Sequence, residues 1–377
     1  MTKTAPSSAA AFGNIYAGKK VFVTGHTGFK GAWLCEWLLA LGAKVSGFSI
    51  DSEDPSLFRQ LKLETRLTDL RGDVRDLALV AKTVQNLAPD FIFHLAAQPL
   101  VRLSYSDPVG TFTTNITGSI NVMEAIRLAS QRCAVVMVTT DKVYENREIN
   151  YAYRETDPLG GHDPYSASKA AAEIAIQSYR KSFFSQRDSR VALASARAGN
   201  VIGGGDWAGD RLVPDCVRAL QRGAKIPVRN RGATRPWQHV LDPLSGYLTL
   251  GAALWKSLDG ETEATRKIRA AFNFGPNPES NRTVADLADE VVKNWPGTWY
   301  DQSETEAPHE AGLLNLNIEQ AAAVLGWRPV WGFAEAVKRT ISWYLESEKA
   351  DASQLTMTQI ADFHAAAADS GLDWARS

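Results

Sequence analysis

From residue 20 onward the chain alternates two textures. Short unbroken apolar runs, of the kind that form strands buried on both faces, give way to longer stretches with apolar residues at helical spacing. The first run, 20–24, ends in a cluster of glycines; a helix is predicted over 32–41, closed by Gly42, and a second strand over 44–50. This is one βαβ unit. The pattern goes on with strands at 90–96, 134–139 and 191–198 and helices at 117–130 and 165–182. Such alternation predicts an α/β fold with a doubly wound, Rossmann-like parallel sheet.

Past Gly199 the texture changes. A loop at Gly203–Trp207 opens a region richer in Pro, Trp and Arg, read as a smaller, interleaved substrate lobe. The expected division is a flexible tail at 1–17, a nucleotide-binding domain at 18–200 with a return at 238–275, the lobe at 201–237 and 276–345, and a helical, alanine-rich extension at 346–377.

Composition narrows the function classes. Net charge is -1 and no long block of one sign occurs, so a nucleic-acid partner is not expected. No apolar run approaches the roughly 20 residues of a spanning helix, so no membrane partner is expected either. The three cysteines, Cys35, Cys133 and Cys216, are widely spaced and odd in number. They imply reduced thiols and a cytoplasmic setting rather than a disulfide framework. His94 and His239 have no metal-ligand spacing around them, and no metal site is expected.

Gly25, Gly28 and Gly31 lie between the first strand and its helix, with Thr27, Phe29 and Lys30 among them. Glycines there let a pyrophosphate approach the backbone and the helix amino terminus. Asp51, closing the second strand, can accept from ribose hydroxyls and would repel a 2'-phosphate, which favours NAD over NADP. Ser49 and Ser52 are alternatives for that role. Asp73, followed by Val74, either bonds an adenine amino group or caps a helix. Farther on, Tyr165 and Lys169 are spaced to share one helical face. A phenol beside an ammonium can take a proton from a sugar hydroxyl, and Thr140, Asp141 and Lys142 add a neighbouring hydroxyl, acid and amine. Hydride transfer alone needs only the Tyr and Lys; elimination of water needs the second pair.

These segments, with His94–Ala97 and Arg197–Asn200, resemble the extended short-chain dehydrogenase/reductase family over roughly residues 19–343. Within it, 25–31, 97–102, 139–144, 159–165, 198–207 and 235–239 are similar to the nucleotide-sugar 4,6-dehydratases, and to their CDP-glucose branch in particular. The resemblance implies bound NAD, with Ala96 and Ala97 also lining its site, and CDP-glucose as substrate. Tyr165 would take the O4 proton, its phenolate favoured by Lys169 and the nicotinamide cation, while Thr140 shares the O4 hydrogen bond. Asp141 would protonate the leaving O6 hydroxyl. Lys142, where dTDP-glucose relatives carry Glu, would take the C5 proton as a neutral amine, its pKa lowered by burial and Lys169, or else steady an enolate as a charge.

Asn200, Arg235 and Arg211 are candidate diphosphate ligands, Asp206 a candidate acceptor for the cytosine amino group, and Gln98, Arg102 and His239 further substrate contacts. His26 is expected to matter through its backbone. Ile149 and the Arg231-Gly232 step depart from the pattern near the expected sugar site. A homodimer, or a tetramer, is implied through a four-helix bundle from the helices near 109–128 and 165–182. A 4-epimerase, a dehydratase of a UDP-, dTDP- or GDP-sugar, and a non-catalytic NAD sensor stay open as alternatives.

Overall fold

The computed structural model describes residues 8–185, 189–260, 262–303 and 312–376. Seven parallel strands form its main sheet: β1 Lys20–Thr24, β2 Lys44–Ser49, β3 Thr68–Arg71, β4 Phe91–His94, β5 Cys133–Val138, β6 Val191–Arg197 and β7 Ala271–Asn273. Their order is β7-β6-β5-β4-β1-β2-β3. The order reverses between β1 and β4, and ligands of such sheets bind at that crevice, beyond the carboxyl ends of the strands.

Strand side chains alternate between two separate cores. Val21, Val23, Phe91, Phe93 and Val136 join the larger one, with Trp33 and Trp37 of α1 (Phe29–Ala40) and with the helix Leu241–Lys256. Phe22, Ile92, Val135 and Met137 face the other, with the helices Leu77–Leu87, Gly118–Ala129 and Pro164–Phe183. Both faces are therefore covered, which explains why the strands read as unbroken apolar runs.

The lobe carries three two-stranded ribbons instead of a second large sheet: Val201–Ile202 with Gln238–His239, Thr234–Pro236 with Asn281–Thr283, and Ile226–Val228 with Trp299–Asp301. The helix Leu212–Gln221 packs against the last of these ribbons.

The expected amino-terminal tail is corrected over residues 11–17; residues 1–7 lie outside the described residues. Phe12 stacks on Trp374 with ring centroids 4.8 Å apart, and the buried Tyr16 hydroxyl donates to the Leu248 carbonyl at 2.6 Å. Two aromatic anchors outweigh the entropy of a free segment. The carboxyl-terminal helix, Ala352–Asp369, lies on α1. There Phe363 meets Trp37 edge to face and Ser353 donates to the buried Glu36 at 3.0 Å.

Candidate active site

The carboxyl ends of the strands open into one cleft of about 1070 Å³ between the sheet and the lobe. It is lined on one side by the glycine loop and on the other by residues from 198–215 and 227–237. The loop is sterically determined. A Cβ on Gly25, whose φ is +73°, would fall 2.7 Å from the Ala96 nitrogen, and one on Gly31 would fall 2.1 Å from the Gly25 carbonyl oxygen. Gly28 is the exposed N-cap of α1 and supplies no side-chain cap. The first amides of α1 are thus left for an anion. Thr27, Phe29 and Lys30 complete this wall.

The His26 ring contributes more than its backbone. It is buried, bonds Asp69 Oδ1 through Nε2 at 2.8 Å, and occupies the space where Gly47 has no side chain. Burial lowers its pKa, against the opposing pull of Asp69.

Asp51 stands exposed at the cleft edge, 4.0 Å from Arg71 Nε. The alternatives for its role are committed: Ser49 bonds Thr27 at 2.8 Å, and Ser52 accepts from Arg59 at 3.0 Å. Arg71 itself is held by Asp69 at 2.7 Å and by the Ile50 carbonyl at 3.0 Å. Asp73 also lines the cleft, but Arg75 grips its carboxylate through Nε at 2.9 and 3.0 Å and holds its pKa down. Val74, Ala96 and Ala97 line the same end. A cradle of small residues, uncapped helix amides and an exposed carboxylate fits a dinucleotide.

Tyr165 and Lys169 lie on the Pro164–Phe183 helix, capped by Asp163, which accepts from Ser166 N at 2.9 Å. Both are buried and face the cleft. Lys169 Nζ donates to the Val138 carbonyl at 3.5 Å; burial, and then Lys30, lower its pKa to about 8. Lys30 is lowered to about 8 by burial and then by Arg211. The cation coupled to Lys169 is thus Lys30 of the glycine loop, a partner not foreseen from the sequence. Burial pushes the Tyr165 phenol up to about 12, opposed chiefly by the Thr140 hydroxyl and next by Arg211. Arg211 thus acts on the Tyr165 phenol, a role the sequence did not foretell.

Thr140 ends the loop after β5, and Asp141 and Lys142 begin a short turn, Asp141–Val143. Thr140 Oγ1 donates to Asp141 Oδ1 at 3.0 Å and accepts the Lys142 amide at 3.4 Å. Asn200, at φ +50°, donates from its amide to Asp141 Oδ2 at 3.1 Å. Asn200 therefore steadies the acid from the cleft wall. Thr140, Asp141, Lys142, Tyr165 and Lys169 all line one cavity.

The substrate side is brought together in part. Arg102, Asn200, Asp206, Arg211 and Arg235 line the cleft. Arg211 donates to Asp206 at 3.0 Å, and Ala208 N donates to the other oxygen at 3.2 Å, so the Asp206 carboxylate is occupied internally. Arg235 donates to the Thr234 and Gly312 carbonyls. Gln98 lines the cleft, but its amide spends both donors on Leu100 O and Thr111 and its oxygen on Leu100 N. His239 as a substrate contact is corrected. Its ring is wholly buried between Trp33 and Trp331, away from the cleft, because its strand turns it into the larger core. Ile149, Arg231 and Gly232 also lie outside the cleft walls.

Sequence reasoning missed Gly199 and the network behind the helix. Glu173 accepts from Thr139 at 2.6 Å, Ser195 at 2.9 Å and Arg197 at 2.8 Å, all buried. A glutamate one turn beyond Lys169 was its only signal.

The sequence profile described as GDP-mannose 4,6 dehydratase matches residues 22–340. The chain belongs to that family. A CDP-glucose 4,6-dehydratase from Salmonella typhimurium is 44% identical over 337 residues, covering 88% of this chain and 92% of the relative. Among solved structures, a dTDP-glucose 4,6-dehydratase from Bacillus anthracis in complex with NAD superimposes with a TM-score of 0.72 at 21% identity, covering 88% of this chain and 98% of that one. A UDP-glucose 4-epimerase from Thermus thermophilus in complex with NAD gives 0.71 at 24% identity, covering 86% and 99%. These two share the fold. Asp141 and Lys142 line the same cleft as the Tyr165–Lys169 pair. Among the described residues no helix is long and apolar enough to cross a membrane, and no group of three His, Cys, Asp or Glu side chains is placed to hold a metal ion.

Proposed function

We propose that this protein is a CDP-glucose 4,6-dehydratase with internally recycled NAD, forming CDP-4-keto-6-deoxyglucose and water. The observation that carries this reading is the gathering of Asp141 and Lys142 with Tyr165 and Lys169 in one cleft. The identity with the Salmonella typhimurium enzyme supports the CDP-sugar. A 4-epimerase would have no use for the Asp–Lys pair.

In this reading the glycine loop and α1 hold the NAD pyrophosphate, Asp51 the adenosine ribose, Asp73 the adenine side and Lys169 the nicotinamide ribose. Bound there, NAD supplies the acceptor for hydride from C4 and its return to C6. Tyr165 removes the O4 proton, and Thr140 holds that oxygen. The C4 ketone acidifies C5; Lys142, as the neutral amine, takes that proton and later delivers to C5 one of its ammonium hydrogens, which exchange with solvent. Asp141 protonates the departing O6 hydroxyl, steadied by Thr140 and Asn200. Arg235, Arg211 and Arg102 face the diphosphate. General acid–base groups of this kind each contribute about 10²–10⁴-fold.

Two further assignments belong here. The exposed Val109, Leu128, Ile174 and Phe183 support pairing of subunits through the helices that carry them, giving a homodimer or a dimer of dimers. Three buried free cysteines support a reducing, cytoplasmic setting.

The test is to incubate the protein with CDP-glucose, without added NAD, in ordinary and deuterated water, and to follow the product by mass spectrometry. Loss of one water with one deuterium at C5 is expected. CDP-glucose left intact after NAD is added would overturn the CDP assignment, and UDP-, dTDP- and GDP-sugars would then be compared.

A further inference from the structure

The cleft holds two working pairs on different elements: Tyr165 with Lys169 on a helix, and Asp141 with Lys142 on a short turn. One buried ion pair joins those elements from behind. Glu173 continues the face of Tyr165 and Lys169 one turn farther along the helix. Its Oε1 accepts from Thr139 Oγ1 at 2.6 Å, and its Oε2 accepts from Ser195 Oγ at 2.9 Å and Arg197 Nη2 at 2.8 Å. Arg197 Nη1 donates to the Tyr144 hydroxyl at 2.9 Å and to the Glu155 carbonyl at 3.3 Å. The Tyr144 hydroxyl donates in turn to Asn273 Oδ1 of β7 at 2.6 Å. Thr139 and Tyr144 are the two residues that flank 140–143, the segment carrying the acid and the amine. Glu173 and Arg197 are buried and lie outside the cleft walls, so they act on the chemistry only through the residues they bond.

We propose that the Glu173–Arg197 pair is a positioning device that sets Asp141 and Lys142 against Tyr165 and Lys169, and so governs elimination of water more than oxidation at C4. This rests on the dehydratase reading above. A buried ion pair adds little net stability over apolar residues of similar volume. Its effect here is one of direction: each partner grips one flank of the same four-residue segment, Glu173 through Thr139 and Arg197 through Tyr144. The two working pairs depend on that grip unequally. Tyr165 and Lys169 are held by a long helix whose first turn is capped by Asp163, and they keep their places when a tether to the neighbouring loop is cut. Asp141 and Lys142 stand on a single short turn, so their aim depends on what fixes its two ends.

Thr139→Val and Tyr144→Phe each remove one hydroxyl and cut one tether while leaving the buried pair in place. The experiment is single-turnover kinetics of the NAD-loaded enzyme with CDP-glucose, followed by the absorbance of the reduced cofactor. Its rise reads oxidation at C4, and its fall reads elimination with return of hydride to C6. In both variants the fall is expected to slow about ten- to hundredfold, the cost of a misplacement of about 1 Å, while the rise and the NAD affinity stay within about threefold of the unmutated values. Thr139→Ser, which keeps the hydroxyl, should keep the unmutated fall. If rise and fall slow in equal proportion, or if neither slows, the proposal is overturned and the pair serves the fold alone. If the unmutated protein neither reduces its cofactor nor forms a keto-sugar from CDP-glucose, the dehydratase reading itself falls, and the inference with it.

Discussion

The carboxyl group of Asp141 lies where Gly199 has no side chain: a Cβ on Gly199 would fall 1.9 Å from the Asp141 carboxyl carbon and 2.0 Å from each oxygen. The close approach lets Asn200, the next residue, reach the carboxylate with its amide. Gly199→Ala must therefore drive Asp141 out of line with O6 while leaving the glycine loop untouched. Turnover should fall by about 10²-fold or more, the scale of a general acid, with NAD affinity by fluorescence titration within about twofold of the unmutated value.

Lys169 bears on stability as well as chemistry. Its pKa is lowered from 10.5 to about 8, burial being the main cause. Below pH 8 the ammonium is kept in both folded and unfolded chains, and the folded state bears the full penalty. Between about pH 8 and 10.5 the folded chain loses its proton first, and the penalty fades as pH rises. Lys169→Met should accordingly raise the Tm of the ligand-free protein at pH 7 and flatten its dependence on pH above 8. The same variant should lose turnover, a trade of activity for stability common at active sites.

In the proposed reading, Asp51 at the cleft edge selects the cofactor. Replacing it with Ser removes the carboxylate that accepts from ribose hydroxyls and repels a 2'-phosphate. NAD should bind about tenfold more weakly, and the NADP-to-NAD affinity ratio should rise. Titration of both cofactors against Asp51→Ser reads this directly.

The carboxyl-terminal helix holds α1 in place. Phe363 meets Trp37, Trp331 and Trp374, and its side chain is fully buried. Phe363→Ala should cost about 3–5 kcal/mol in urea unfolding, from lost transfer energy and the cavity left behind.

Much of this was legible because it is local. Unbroken apolar runs fix strands covered on both faces, and the Tyr165–Lys169 spacing fixes a shared helical face. What the sequence concealed depends on direction. His239 and Arg235 lie in one short stretch, yet one turns into the core and the other into the cleft. Gln98 lines the cleft but satisfies itself within its own loop. Lys30 becomes the cation coupled to Lys169 only when two distant segments meet. The anchoring of residues 11–17 needed Trp374, almost a whole chain away, and no local pattern reports such a partner.

That last contact has a bearing on how the chain is made. Phe12 and Trp374, far apart in sequence, stack on each other and both meet Trp37 of α1. A protein leaving the ribosome amino end first can form the early βαβ unit at once, but the apolar back of its first helix stays bare until residues as far as Trp374 have been made. Sequence-distant contacts of this kind slow folding and prolong the exposure of sticky surface. Chains that stop short of Trp374 should aggregate through that uncovered face.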